Sequence, residues 1–225
     1  MQGSQRMIRD IEAEVAFTRH LIGKTALDPR VMRAIEEVPR EKFVPKHLRH
    51  LAFANGPLPI GHGQTISQPF IVALMTDLVQ PDKDRVILEV GTGCGYQAAV
   101  LARLASKVYS LEIVPELAEQ ASSRLQRLGY SNVEVGAGDG SLGWPEKAPF
   151  DGILVTAAAP SIPPALVQQL RPGRRMVIPV GLPYSHQELC LLEKRLDGEV
   201  SVREVLGVAF VPLTGGEGAS ASEVR

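Results

Sequence analysis

From Ile8 to Ile22 the apolar residues Ile8, Ile11, Val15, Leu21 and Ile22 recur at roughly helical spacing, which predicts an amphipathic helix. Asp28-Pro29 reads as the start of a second one. The carboxylate can accept from free N–H groups of the first turn, and proline suits the first helical position. Val31, Ala34, Ile35 and Val38 supply its buried stripe until Pro39 stops it. Gly56-Pro57 through Gly63 is dense in backbone-bending residues and predicts a loop. A further helix is expected from about Pro69, carrying Ile71, Val72, Leu74, Met75, Leu78 and Val79.

After Pro81 the pattern changes. Short β-branched runs at residues 85–90, 107–111, 132–135, 151–155 and 175–180 are interleaved with helical stretches, notably 96–104 and 115–128. Such alternation predicts an α/β fold, a mostly parallel sheet with helices on both faces. Two last runs, 188–194 and 202–211, are joined through the turn signal Asp197-Gly198 and predict an antiparallel edge. Residues 1–55 then form a small N-terminal helical addition, one structural unit with a main domain over 56–214. The Gly-, Ala- and Ser-rich stretch 215–225 is expected to be disordered.

Composition narrows the field little. The chain has 225 residues, 44% hydrophobic and 22% charged, which suits one soluble α/β domain with a small addition. A formal net charge of -1 offers no basic field, so no nucleic-acid partner is expected. No apolar run reaches the roughly 20 residues needed to cross a bilayer and no signal peptide opens the chain, so no membrane partner is expected either. Cys94 and Cys190 make no zinc pattern and read as reduced thiols of a cytoplasmic protein. His47 and His50 could share a helix face but lack a third ligand, so no metal is expected.

The chemistry starts at residues 86–90, a strand that runs into Gly91-Thr92-Gly93-Cys94-Gly95 and then a helix. Glycines permit a tight turn and let a ligand approach the backbone. Alone, such a loop suits NAD, FAD or S-adenosylmethionine. The dinucleotide fingerprint needs a glycine where Tyr96 stands. Glu89 precedes the loop, and Glu112 closes the next strand, where a carboxylate can accept both hydroxyls of a ribose. This arrangement resembles the S-adenosylmethionine methyltransferase superfamily and implies its Rossmann-like fold. Gly138-Asp139-Gly140, also readable as a plain turn, stands where that superfamily places an acid beside the adenine.

Superfamily likeness gives a cofactor and no substrate. After the strand at 151–155 comes Thr156-Ala157-Ala158-Ala159-Pro160, which lacks the Asn/Asp-Pro-Pro-Tyr side chains of amine methyltransferases. No cysteine follows a proline as in cytosine methyltransferases. Upstream, Ile60-Gly61-His62-Gly63-Gln64-Thr65-Ile66-Ser67-Gln68-Pro69 resembles the hallmark block of the protein-L-isoaspartate O-methyltransferase family. The resemblance continues through Val38-Pro39-Arg40-Glu41-Lys42-Phe43-Val44, the glycine loop, Gln169-Leu170-Arg171-Pro172-Gly173 and Phe210-Val211-Pro212-Leu213-Thr214.

The resemblance implies an enzyme that moves a methyl group from S-adenosyl-L-methionine to the free α-carboxylate of L-isoaspartyl residues in damaged proteins and peptides, starting repair through a succinimide. It implies Ser67 as the active-site serine and Gln64, Thr65, Ile66 and Ser67 along the methionine end of the cofactor. Glu89, Gly91, Gly93, Gly95, Glu112, Asp139, Gly140 and Thr214 match cofactor-contacting positions, and His62 is a candidate substrate contact. Arg174 departs from the family, which usually has a second glycine there, and the small residues after Thr214 replace more polar ones.

Plainer readings stand beside these. Ser67 before Gln68-Pro69 also fits a helix N-cap. Arg171, Arg174 and Arg175 read as a solvated cluster and Trp144 as packing at a surface edge. A methyltransferase for another carboxylate, a cofactor-binding module without catalysis and a nicotinamide oxidoreductase are the rival functions. Tyr96 disfavours the oxidoreductase, and the Thr65 to Pro69 block disfavours the other two.

Overall fold

A computed structural model describes residues 2–215 apart from Tyr184. Helix α1 covers Gln2–Ile22, starting earlier than the apolar spacing predicts because Met7 also packs into the core. Helix α2, Pro29–Glu37, starts as expected: the Asp28 side chain accepts from Arg30 N, and Val31, Ala34 and Ile35 are buried. Two 3-10 turns, Arg40–Lys42 and Lys46–Leu51, carry the chain onward.

The expected loop at 56–63 is instead a small antiparallel hairpin, β1 (Leu58–Gly61) against β2 (Gln64–Ile66). Its turn is two residues long, and both His62 (φ 53°) and Gly63 (φ 68°) are left-handed. Positive φ at both central positions matches the right-handed twist of the flanking strands. Helix α3, Pro69–Val79, follows and is almost wholly buried.

The main sheet has seven strands: β3 (Val86–Val90), β4 (Lys107–Glu112), β5 (Val133–Ala137), β6 (Phe150–Val155), β7 (Leu170–Gly181), β8 (Gln187–Lys194) and β9 (Val200–Val208). Their order is β5-β4-β3-β6-β7-β8-β9. The first five are mutually parallel, and β8 and β9 add an antiparallel edge, as the Asp197-Gly198 turn predicts. Helices α4 (Tyr96–Ala102), α5 (Pro115–Arg127) and α6 (Pro164–Gln169) complete the crossovers; α6 is not legible in the apolar spacing. This is the Rossmann-like methyltransferase fold.

Two cores lie against the sheet, and strand alternation divides them. Ile87, Leu154 and Val177 join α1–α4 in one core, while Leu88, Val90, Ile153, Val155, Met176 and Ile178 join Leu166 of α6 in the other. Residues of α1 and α2 belong to the larger core, so the N-terminal helices are packed onto the sheet. The arginines expected as a solvated cluster are paired: Arg171 and Arg174 reach Asp151, and Arg175 reaches Glu193. Arg174 sits within β7 opposite Lys194 and needs no left-handed backbone, so the family's glycine is dispensable there. Trp144 is half-buried, edge-on to Tyr109. The stretch expected to be disordered lies, after Gly215, outside the described residues.

Candidate active site

The strand order reverses between β3 and β6, since β4 lies on one side of β3 and β6 on the other. Open α/β sheets bind ligands at the carboxyl ends of the strands at such a switch point. An open cavity lies there, bordered by Val90, Gly91, Glu112 and Thr156 among others. The glycine loop is held by backbone hydrogen bonds to β4 and within itself. Gly91 N and Thr92 N donate to Leu111 O, at 2.8 and 3.2 Å, and Gly95 N donates to Thr92 O. These amides are therefore satisfied internally and do not point at a ligand.

Close packing fixes the first glycine of the loop. Gly91 has φ 94°, and a Cβ there would run into the Thr156 hydroxyl, which donates to Gly91 O at 2.6 Å. Glu112 is buried at the cavity wall. Its Oε2 accepts from Gly93 N at 2.7 Å and its Oε1 from Val114 N at 3.1 Å. A carboxylate has about four lone-pair sites, so two remain for hydroxyl donors.

The hairpin supplies the opposite wall. Ile60 sits 3.3 Å from the position a Cβ on Gly93 would occupy, placing β1 against the glycine loop, and β2 brings Gln64, Thr65 and Ile66 to the cavity. Thr214 arrives by another route. Ala158 N donates to Val211 O and Leu213 N to Ala158 O, zipping the end of the chain beside the Thr156 to Pro160 stretch. Small residues there permit this close pairing, a role the sequence does not disclose.

A second cleft adjoins the first. It is lined by Pro57, Phe70, Ile71, His186 and Phe210 among others, and it shares Thr65, Ser67, Thr156 and Val211 with the cofactor-sized cavity. Of the hydroxyls at this junction, that of Thr156 is committed to Gly91 O and Val90 O, and that of Thr65, on an exposed residue of β2, is unbonded among the described residues. Ser67 is half-buried and its hydroxyl makes no hydrogen bond among the described residues. Nor does it cap α3. Gln68 occupies the N-cap position, and Phe70 N is satisfied by Asn55 Oδ1 at 3.1 Å.

The family model for protein-L-isoaspartate(D-aspartate) O-methyltransferase matches residues 14–218. The chain belongs to this family. Protein-L-isoaspartate O-methyltransferase 2 of Syntrophobacter fumaroxidans is 59% identical, over 94% of this chain and 85% of its own. The enzyme of the same name from Nitrosococcus oceani is 58% identical over 96% and 98%. A solved protein-L-isoaspartate O-methyltransferase superposes with a TM-score of 0.81 at 28% identity, over 96% of this chain and 67% of that one. The methyl donor of this isoaspartate methyltransferase is S-adenosylmethionine, and the cavity fits it: a buried carboxylate for hydroxyls and a mostly uncharged wall.

Within this methyltransferase the expected site residues divide. Gln64, Thr65, Ile66, Ser67, Gly91, Gly93, Glu112, Gly140 and Thr214 line the cavity; Glu89, Gly95, Asp139 and His62 do not. Glu89 alternates with Val90 on β3, so Val90 faces the cavity and Glu89 turns into the opposite core. There it accepts a hydrogen bond from Ser110, which is also bonded to Thr92 of the loop. Burial pushes its carboxyl up to about 8. Gly95 starts α4, and its missing Cβ makes room for Leu125 of α5. Asp139 Oδ1 accepts from Ser141 N and Oγ, capping the turn that positions Gly140. His62 is exposed at the hairpin tip and lines neither cleft. Among the described residues no cluster of metal-ligating side chains exists, and no helix is long and apolar enough to cross a membrane.

Proposed function

We propose that Ser67 is the residue at which this S-adenosylmethionine-dependent methyltransferase receives the α-carboxylate of L-isoaspartyl residues. One observation carries the assignment: of the two unbonded hydroxyls on the boundary of the two clefts, those of Thr65 and Ser67, only that of Ser67 is half-buried. In this reading the cleft bounded by Glu112 holds the cofactor, with Gln64, Thr65, Ile66, Gly140 and Thr214 around it and Glu112 accepting the ribose hydroxyls. The neighbouring cleft takes the peptide.

The bound cofactor supplies a methyl group on a sulfonium centre, ready for a nucleophile. An α-carboxyl has a reference pKa of about 3.3–3.7, so the substrate is already an anion at neutral pH and needs no base. Ser67 donates to one carboxylate oxygen and leaves the other free to react. Thr156 fixes Gly91 and with it the wall on the far side of the reacting atoms. The remaining contribution is alignment in a site that sheds water, worth on the order of 7–11 kcal/mol in well-oriented systems. In the ester product the adjoining backbone amide nitrogen attacks the ester carbonyl and methanol leaves, which a carboxylate does not permit, so the succinimide closes unaided.

Protein substrates fit the second cleft, whose wall is largely apolar and whose charge at one rim is the acid Glu14. That acid and the net charge of -1 favour peptide over nucleic acid. The free, buried thiols Cys94 and Cys190 favour a reducing cytoplasm. The deciding experiment compares methyl transfer to matched isoaspartyl and aspartyl peptides by wild type and Ser67→Ala. Transfer should be selective for the isoaspartyl peptide and fall sharply in the variant while the melting temperature holds. Unchanged turnover in Ser67→Ala would remove Ser67 from the site.

A further inference from the structure

Arg40 is an unusual object in this fold. It is fully buried, yet among the described residues no carboxylate lies within ion-pair distance of it. Its Nε donates to Ala52 O at 2.9 Å and its Nη2 to Ser67 O at 2.7 Å. The guanidinium carbon lies 4.7 Å from the centroid of the Tyr96 ring, and Tyr96 in turn packs edge-on against Phe43. Nη1 is buried without a partner, as is the Tyr96 hydroxyl. A buried cation compensated by carbonyls and Tyr96, with no carboxylate, is expensive to keep. A neutral residue would satisfy a purely structural need at lower cost, so the position of the charge needs a reason.

The reason lies in what Arg40 joins. Tyr96 opens α4 directly after the glycine loop and borders the cofactor cavity, whereas Ser67 stands at the junction with the peptide cleft. One planar fork thus spans from the cofactor side to the main chain of the acceptor serine. We propose that Arg40 is a positioning residue: its guanidinium, held over the Tyr96 ring, bonds the Ser67 carbonyl and so fixes the serine hydroxyl relative to the cofactor-binding loop. The inference rests on the assignment of Ser67 above. Lysine cannot reproduce the clamp, because its point-like ammonium cannot hold two carbonyls in the fork geometry while stacking on a ring.

The test is a double-mutant cycle of Arg40→Lys and Ser67→Ala, reading kcat, KM for an isoaspartyl peptide, S-adenosylmethionine affinity and melting temperature. Residues acting through one group are non-additive. Arg40→Lys alone should lower kcat by about tenfold or more, with cofactor affinity within about threefold of wild type, the range expected for independent sites. In the Ser67→Ala background the same change should lower kcat by less than about threefold, because the hydroxyl it positions is gone. Equal losses in both backgrounds would overturn the proposal, as would an Arg40→Lys enzyme with normal kcat. Arg40→Met serves as a second probe; if neither variant folds, Arg40 is a core element and the proposal falls. Ser67→Ala with normal turnover, beside a damaged Arg40→Lys, would instead refute the serine assignment.

Discussion

Glu89 should make the enzyme less stable as pH rises, and replacing it by glutamine should abolish that trend. Its carboxyl is wholly buried and pushed from 4.5 to about 8, chiefly by lost solvation; the Ser110 hydrogen bond opposes the rise and the Glu112 charge adds to it. The raised value means that the folded protein keeps a proton which the unfolded chain releases above about pH 4.5. The contribution is therefore whole below that pH and is lost as pH climbs to about 8. At about 1.36 kcal/mol per pH unit, the window from pH 5 to 8.5 amounts to about 4 kcal/mol. Glu89→Gln does not titrate, but its amide N–H groups replace Oε1, which has no partner, at a cost of about 1–3 kcal/mol. The variant should then be less stable than wild type by about 1–3 kcal/mol at pH 5 and more stable by about 1–3 kcal/mol at pH 8.5. Urea denaturation of both proteins across that range measures the difference directly. Parallel stability curves would mean that Glu89 is ionised in the folded state and that its bracing of Thr92 through Ser110 is a charged interaction.

Further expectations concern the cofactor and the nucleophile. Glu112→Ala should weaken S-adenosylmethionine binding by about 1.5–3 kcal/mol by calorimetry, since both the ribose acceptor and the Gly93 N–H acceptor are lost; unchanged affinity would exclude the ribose role. The single-turnover rate, counted from the cofactor product, should be nearly flat from about pH 6 to 8, well above the carboxyl pKa. His186 lines the second cleft and pairs with Glu188, so an acid-side loss of rate that vanishes in His186→Ala would refute the base-free mechanism.

The parallel sheet and its antiparallel edge are legible in the sequence because buried strands announce themselves as short β-branched runs between helical stretches. The cofactor loop is legible for a related reason, since a chain that must turn tightly at Gly91 beneath Thr156 has few residues to choose from. Helix α6 is invisible because it is only six residues long and bounded by prolines, too short for helical periodicity to emerge. The β1–β2 hairpin escapes because its strands have four and three residues and its turn is His-Gly, not the Asn-Gly that signals positive φ at both positions.

Glu89 shows a subtler limit. Its place before the glycine loop makes it look like a ligand, yet strand geometry fixes its direction independently of that proximity. Side chains alternate along β3, so if Val90 borders the cavity, Glu89 must face the other core. An acid there can act only by bracing, through Ser110 and Thr92, the loop whose next residues do meet the cavity. Arg40 stands in the same relation to Ser67. Linear sequence places both in suggestive blocks, but their direction follows from the fold, and direction separates a residue that touches a ligand from one that holds another residue in place.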